Sequence, residues 1–212
     1  MKSENGRSMV EMLGVLAIIG VLSVGTISGY SKAMMKYKLN KHTEQMNTLI
    51  NTVARNVHSF DNIKEGETNL TPYLIKMGEI PTEMVKTNNS DYVYDIFGQE
   101  WQIVLQENNI YLTSYHENGS SFLSLSSPDR LPICQNILTI AKEYSDNIYM
   151  VSTQTASSDY NEGQFYFIMG NKLCNELKNY RCLKNLALDD TYNICNEHVK
   201  GGIAQFYINW ER

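Results

Sequence analysis

The sequence predicts an α+β protein: one long N-terminal helix, apolar in its first half and amphipathic in its second, packed on an antiparallel β-sheet head. Three observations predict it. A membrane-length apolar run near the start of the chain passes without a break into a helical stripe of apolar residues. From about Asp91 onward, short alternating segments are separated by turn residues. A single further helical pattern interrupts these segments, instead of a helix after each strand, which is the order of an α+β fold and not of a βαβ fold.

The apolar half comes first. From Met12 to Tyr30 there is no charged residue, and at 1.5 Å per residue this run reaches about 28 Å, close to the hydrocarbon thickness of a bilayer. One acid, Glu11, sits in the first turn of the apolar region. A carboxylate at the centre of a membrane helix costs roughly 2.5–3.5 kcal/mol on insertion scales, so its position needs a reason. A cleaved signal peptide has a shorter apolar core ending in small residues. Ser23, Gly25 and Ser28 could supply such an end, but the helical pattern runs on past them.

The amphipathic half extends to about Phe60. Met35, Leu39, His42, Met46, Leu49, Ile50, Val53, Val57 and Phe60 recur at three and four residues, which places them on one face of a helix. His42 lies on that stripe with no second His or Cys near it, so it reads as a packed histidine. Asp61 to Asp91 is rich in Gly and Pro, and "LTPYLIKMGEIPTEMV" has room for two short helices. "DYVYDI", "QEWQIVLQ" and "NIYLTSY" then read as strands. Trp101, Ile103 and Leu105 alternate with polar residues, as in a half-buried antiparallel strand. "SPDRLPICQNILTIAKEY" reads as a helix that Ser127 or Asp129 could cap, with Ile133, Ile137, Leu138 and Ala141 on its inner face. "IYMVST", "GQFYFIMG" and "GIAQFYINW" read as further strands, and "NKLCNELKNYRC" and "LDDTYNICNEHVKG" as short helical or loop pieces.

Composition narrows the function. The 212 residues carry a net charge of -5 and 19% charged residues, so there is no basic excess to displace counterions from nucleic acid, and no nucleic-acid partner is expected. Fourteen tyrosines, with many Asn, Ser and Thr, suit an extracellular β-rich surface. The Tyr-rich strands could make an adhesive surface, although Tyr is also simply a good strand residue. No G-x-x-x-x-G-K-[ST], H-E-x-x-H or G-x-S-x-G motif occurs. His42, His58, His116 and His198 are scattered, so no catalytic arrangement, metal centre or cofactor is proposed and the chain is not expected to be an enzyme. Asp159 to Gly163 has the look of a calcium loop but lacks its closing acid, and an ordinary turn is the simpler reading. Asn69, Asn88 and Asn118 stand in N-x-[ST] patterns.

Cys134, Cys174, Cys182 and Cys195 are separated by 39, 7 and 12 residues, without a C-x2-C pair. This argues against structural zinc. An even number confined to the region beyond a membrane run points to disulfides. Four cysteines allow three pairings, and spacing does not choose among them.

Gly6-Arg7-Ser8-Met9-Val10-Glu11, followed by "LAIIGVL", resembles the class III signal and N-terminal helix of type IV pilins and pseudopilins. In that family a short leader ends in Gly, the peptidase cuts directly after it, and the fifth mature residue is Glu. Gly6 matches the leader Gly and Glu11 the fifth residue. Gly20 and Tyr30 fall where members commonly have the same residues. Arg7 departs from the usual Phe or Met, and Ser28 stands where many members have a helix-bending Pro.

The resemblance, which covers about 25 residues, implies a leader at residues 1–6, a membrane and filament-core half-helix at 7–30, an amphipathic half at 31–60 and a globular head at 61–212. It implies cleavage between Gly6 and Arg7, methylation of the new amine of Arg7, and a role for Glu11 in assembly through the N-terminal amine of a neighbouring subunit. The partners it implies are further copies in a helical filament, a prepilin peptidase, an inner-membrane assembly machinery and, before assembly, membrane lipid. The N-terminus would face the cytoplasm. A bare count of Lys2 and Arg7 against Lys32, Lys36, Lys38 and Lys41 favours the opposite orientation, and the cleavage motif overrides it. The order of elements is closer to the type IVb branch. In pilin-like proteins one bridge commonly bounds the exposed C-terminal region, which implies Cys134–Cys195 and leaves Cys174–Cys182 as a local staple. Gly14, Gly20, Gly25 and Gly29 either loosen the helix during assembly or let helices pack closely. The rival readings are a minor pseudopilin of a type II secretion system and a membrane-tethered binding domain that never polymerises.

Overall fold

The computed structural model describes residues 9–63, 66–87, 90–114, 127–155, 165–177, 180–201 and 203–211. Helix α1 (Met9–Asn56) is continuous and ends in a 3-10 turn over Val57–Phe60. The chain divides into two compact units, Met1–Lys38 and Leu39–Arg212.

In the first unit α1 carries no charged residue from Met12 to Tyr30. Met12, Leu13, Leu16, Ile18, Val21 and Leu22 are each more than half exposed. Two of its hydroxyl groups bond back into the helix: Ser23 Oγ donates to the Ile19 carbonyl at 2.7 Å, and Thr26 Oγ1 to that of Leu22 at 3.0 Å. Such back-bonding is how Ser and Thr are tolerated where water is absent.

The second unit is built on the stripe. Met46, Leu49, Ile50 and Val53 are buried in one core with the inner face of a sheet. Along strand β3 (Glu100–Gln106), Trp101, Ile103 and Leu105 point into that core, as alternation requires. Strand β4 (Asn109–Thr113) adds Ile110 and Leu112. Two short strands, β1 (Thr68–Asn69) and β2 (Val93–Tyr94), also pair with β3. Helix α2 (Thr71–Lys76) follows β1, and a 3-10 turn covers Thr82–Met84. Strand β1 lies in the segment read as loop, where a two-residue ladder leaves no periodicity to find.

Helix α3 (Ser127–Glu143) packs Ile133, Ile137, Leu138 and Ala141 into the same core. The side chains of Ser127 and Asp129, offered as caps, lie outside the described residues. Then come β5 (Met150–Thr155), β6 (Phe165–Met169), α4 (Asn171–Glu176), β7 (Arg181–Cys182), a 3-10 turn at Leu183–Asn185, α5 (Leu188–Gly201) and β8 (Ile203–Glu211). Helix α5 is a full helix of 14 residues, where the sequence suggested short pieces or loop. Its Ile194 and Cys195 reach the core, and packing against α3 supplies what local propensity does not.

The sheet order is β1-β3-β4-β8-β5-β6-β7, with β2 off this path on β3. All ladders are antiparallel except β6–β7, which is parallel. The chain between those two strands carries α4, and a parallel pair needs such a crossover. Gly170 makes the turn from β6 into α4 against the Ile148 carbonyl, where an added Cβ would sit 1.7 Å from the oxygen. The last strand, β8, lies at the centre of the sheet between β4 and β5. The structure joins Cys134 to Cys195 and Cys174 to Cys182, each with a Cα–Cα distance of 5.7 Å.

Candidate functional site

Glu11 lies near the start of the described part of α1. Gly6 and Arg7 lie outside the described residues. Around Glu11 the helix offers an apolar surface in every direction: Met9, Val10, Met12, Leu13 and Val15 are all more than half exposed. Among the described residues, α1 is the one helix long and apolar enough to cross a membrane. An added Cβ at Gly14, Gly20 or Gly29 would meet nothing within 4 Å. Nothing inside the chain therefore demands glycine at these positions.

The amphipathic half carries a buried polar cluster that the sequence reading missed. Asp95, 6% exposed, closes the turn between β2 and β3. Its Oδ1 accepts from the backbone N–H of Phe97 at 2.8 Å and of Gln99 at 2.9 Å, and its Oδ2 from the Trp101 indole at 3.0 Å. Gly98 holds φ +79° in this turn, a conformation natural to glycine. His42 Nε2 lies 3.4 Å from Asp95 Oδ2. On the other side of the ring, the Asn136 amide reaches His42 Nδ1 at 2.8 Å, and Thr43 Oγ1 donates to Asn136 Oδ1 at 3.0 Å. Gln45 Oε1 accepts from the Ile96 N–H at 2.8 Å. The cluster thus ties α1, the β2–β3 turn and α3 together. His42 is fully buried and packed edge-on against Phe97, 5.6 Å between centroids. The sequence reading placed Asp95 inside the strand segment "DYVYDI" and assigned it no role.

Asp95→Ala is expected to destabilise the head by about 3 kcal/mol, because it leaves the indole and two backbone N–H groups without their acceptor. Asp95→Asn, which keeps an acceptor, is expected to cost less. Urea unfolding followed by tryptophan fluorescence reads this directly, since Trp101 and Trp210 are both buried.

Other candidates disperse. His58 is exposed near Asp61, 3.8 Å away. His116 and the Asp159–Gly163 segment lie outside the described residues, as do Asn88, Asn118 and the side chain of His198. Asn69 is engaged in a turn: its Nδ2 donates to the Asp91 carbonyl at 3.0 Å and its Oδ1 accepts from the Thr71 N–H at 3.0 Å. Among the described residues no cluster of His, Cys, Asp and Glu could hold a metal ion. At the rim of the head Lys41 bridges Glu83 at 2.7 Å and Glu44 at 3.1 Å. Those hydrogen bonds, Glu83 first, hold its ammonium above the usual lysine range.

No family model, no curated protein and no solved structure matches this chain. The resemblance at the N-terminus stands on its own residues.

Proposed function

We propose that the chain is a pilin, the structural subunit of a type IV pilus-like surface filament. The observation that carries the reading is the pairing of the Gly6–Glu11 motif with a helix that is apolar on all sides and exposed along its first half. The subunit would wait in the bacterial inner membrane as a single span with its N-terminus cytoplasmic. A prepilin peptidase would cut after Gly6, and the new amine of Arg7 would be methylated. The assembly machinery would then draw the helix out of lipid into a bundle of sister helices, ending in an extracellular pilus. The apolar surface exchanges one apolar cover for another, so van der Waals packing supplies the cohesion. The side-chain-free surface at Gly14, Gly20 and Gly29 suits close helix approach.

Glu11 gives the assembly its register. A carboxylate among apolar helices is costly alone and recovers much of that cost beside an ammonium. The amine of Arg7 on a neighbouring copy supplies one only in the correct stagger.

Electron microscopy of fibres sheared from the cell surface, with mass spectrometry of their main protein, tests the reading. The expected result is this chain beginning at a methylated Arg7. Glu11→Ala is expected to abolish fibres while leaving the chain in the membrane. Met1 retained on exported protein, or a cut near Ser28, overturns the processing. An intact span without fibres, indifferent to Glu11→Ala, would instead mark a membrane-tethered binding domain. Few copies per fibre, with secretion lost on deletion, would mark a minor pseudopilin.

A further inference from the structure

The face of the sheet turned away from the core carries a cleft. On β3, β4 and β8 the residues that do not enter the core align across the ladders: Gln102 opposite Thr113, and Thr113 opposite Tyr207. One row along, Val104 stands opposite Tyr111, and Tyr111 opposite Asn209. Tyr92, from the segment before β2, closes the edge. All of these but Asn209 line this cleft of about 500 Å³, within the range of small-molecule sites. Three tyrosines line it, with Gln102, Gln106 and Glu67 at its polar positions.

One buried polar atom in the lining points to a ligand. Thr113 is 5% exposed, lines the cleft, and its Oγ1 has no hydrogen-bond partner. Buried hydroxyl and amide groups are normally satisfied, because leaving one bare costs free energy.

We propose that this cleft binds a neutral saccharide. The lining chemistry selects that class. An aromatic face with negative charge density accepts the C–H-rich face of a pyranose ring. Amide groups and a hydroxyl, each able to donate and accept, match sugar hydroxyls that do the same. Among the described lining residues there is no cation, so a phosphate or an acidic sugar finds no counter-charge. A quaternary ammonium would suit tyrosines and a carboxylate, but it offers nothing to the Thr113 hydroxyl. The Tyr111 phenol is held above the usual tyrosine range, chiefly by burial and then by the charge of Glu107, with hydrogen bonds to Asn109 and Asn209 opposing. It therefore stays a neutral donor at physiological pH.

The test uses the full chain in micelles of an amine-oxide detergent, which carries no sugar headgroup to compete. Saturation-transfer NMR would screen neutral mono- and disaccharides of gluco, galacto and manno configuration with their N-acetyl forms, beside choline and sialic acid. At least one neutral sugar is expected to bind in the cleft. Thr113→Val, which keeps the shape and removes the hydroxyl, is expected to weaken it roughly three- to tenfold, the value of one hydrogen bond. Its urea midpoint is expected to stay at or above that of the parent, because the hydroxyl has no partner to lose. Tyr111→Ala is expected to weaken binding more, and Phe167→Ala, an exposed aromatic on β6 outside the cleft, not at all. Binding of choline or sialic acid alone, no binding of any sugar, or a sugar held equally by the parent, Thr113→Val and Tyr111→Ala overturns the proposal. A monomer in micelles suffices, so the outcome is separate from whether fibres form.

Discussion

Leu49→Asp is expected to leave the head unfolded. Leu49 is fully buried on α1, with Met46, Ile50 and Val53 on the same stripe. The change removes a side chain whose burial is worth about 1.5–3 kcal/mol. It also places a carboxylate where it has no designed partner. Either the charge stays desolvated or the group takes up a proton, and both cost free energy. The combined loss exceeds about 4 kcal/mol, a large part of the 5–15 kcal/mol that holds an ordinary domain together. Loss of the cooperative tryptophan transition in urea is the expected reading. Asn40, on the opposite face of α1 and exposed, provides the control: Asn40→Asp should change little. A Leu49→Asp head that melts like the parent would place the stripe in solvent.

Removing the Cys134–Cys195 bridge comes next in size. The bond links positions 61 apart in sequence, and a loop of that length gives about 4 kcal/mol in the chain-entropy model. Both cysteines are fully buried, one on α3 and one on α5. The bond therefore also pins α5, which leads directly into the central strand β8. Cys174 and Cys182 are 8 apart, and the same model gives roughly 2–3 kcal/mol. Both of these are only half-buried. The pair Cys134→Ala with Cys195→Ala should thus lower the urea midpoint clearly more than Cys174→Ala with Cys182→Ala. Equal shifts would mean that the short bridge constrains more than its loop. In the filament reading, fibre yield should follow the same order.

The elements were legible where one period governed them. The stripe from Leu39 to Phe60 repeats at three and four residues because one helix face meets one core, and its buried members are the residues the period names. Strand β3 alternated for the same reason, with period two. Val104 also belongs to the outward set, yet it is only 7% exposed. It lies in the cleft opposite Tyr111, which no local pattern announces. Helix α5 was legible only as a short helical or loop piece, because its polar residues dilute the apolar few and α3 and a disulfide hold it. Strand β1 is too short to have a period at all. The parallel β6–β7 pair depends on where the crossover returns, which is a property of the sheet.

The chemistry divides along the same line. Gly6, Arg7 and Glu11 lie within one turn or two of each other in sequence, so a reader of the sequence alone can find them. Asp95 acquires its role only when α1 and α3 bring His42 and Asn136 to it. Thr113 and Tyr207 meet because β8, the last strand, enters the sheet beside β4.

The sequence by itself determined the apolar helix with its acid, the amphipathic continuation, the α+β class and the cysteines available for bridging. Each of these is written in neighbours one to four residues apart, where backbone geometry alone sets who faces whom. Only the tertiary structure decided the strand order, the buried Asp95 cluster and the tyrosine-lined cleft. Those join residues that only long-range pairing brings together, and pairing is chosen by the burial of the whole core, not by any one segment.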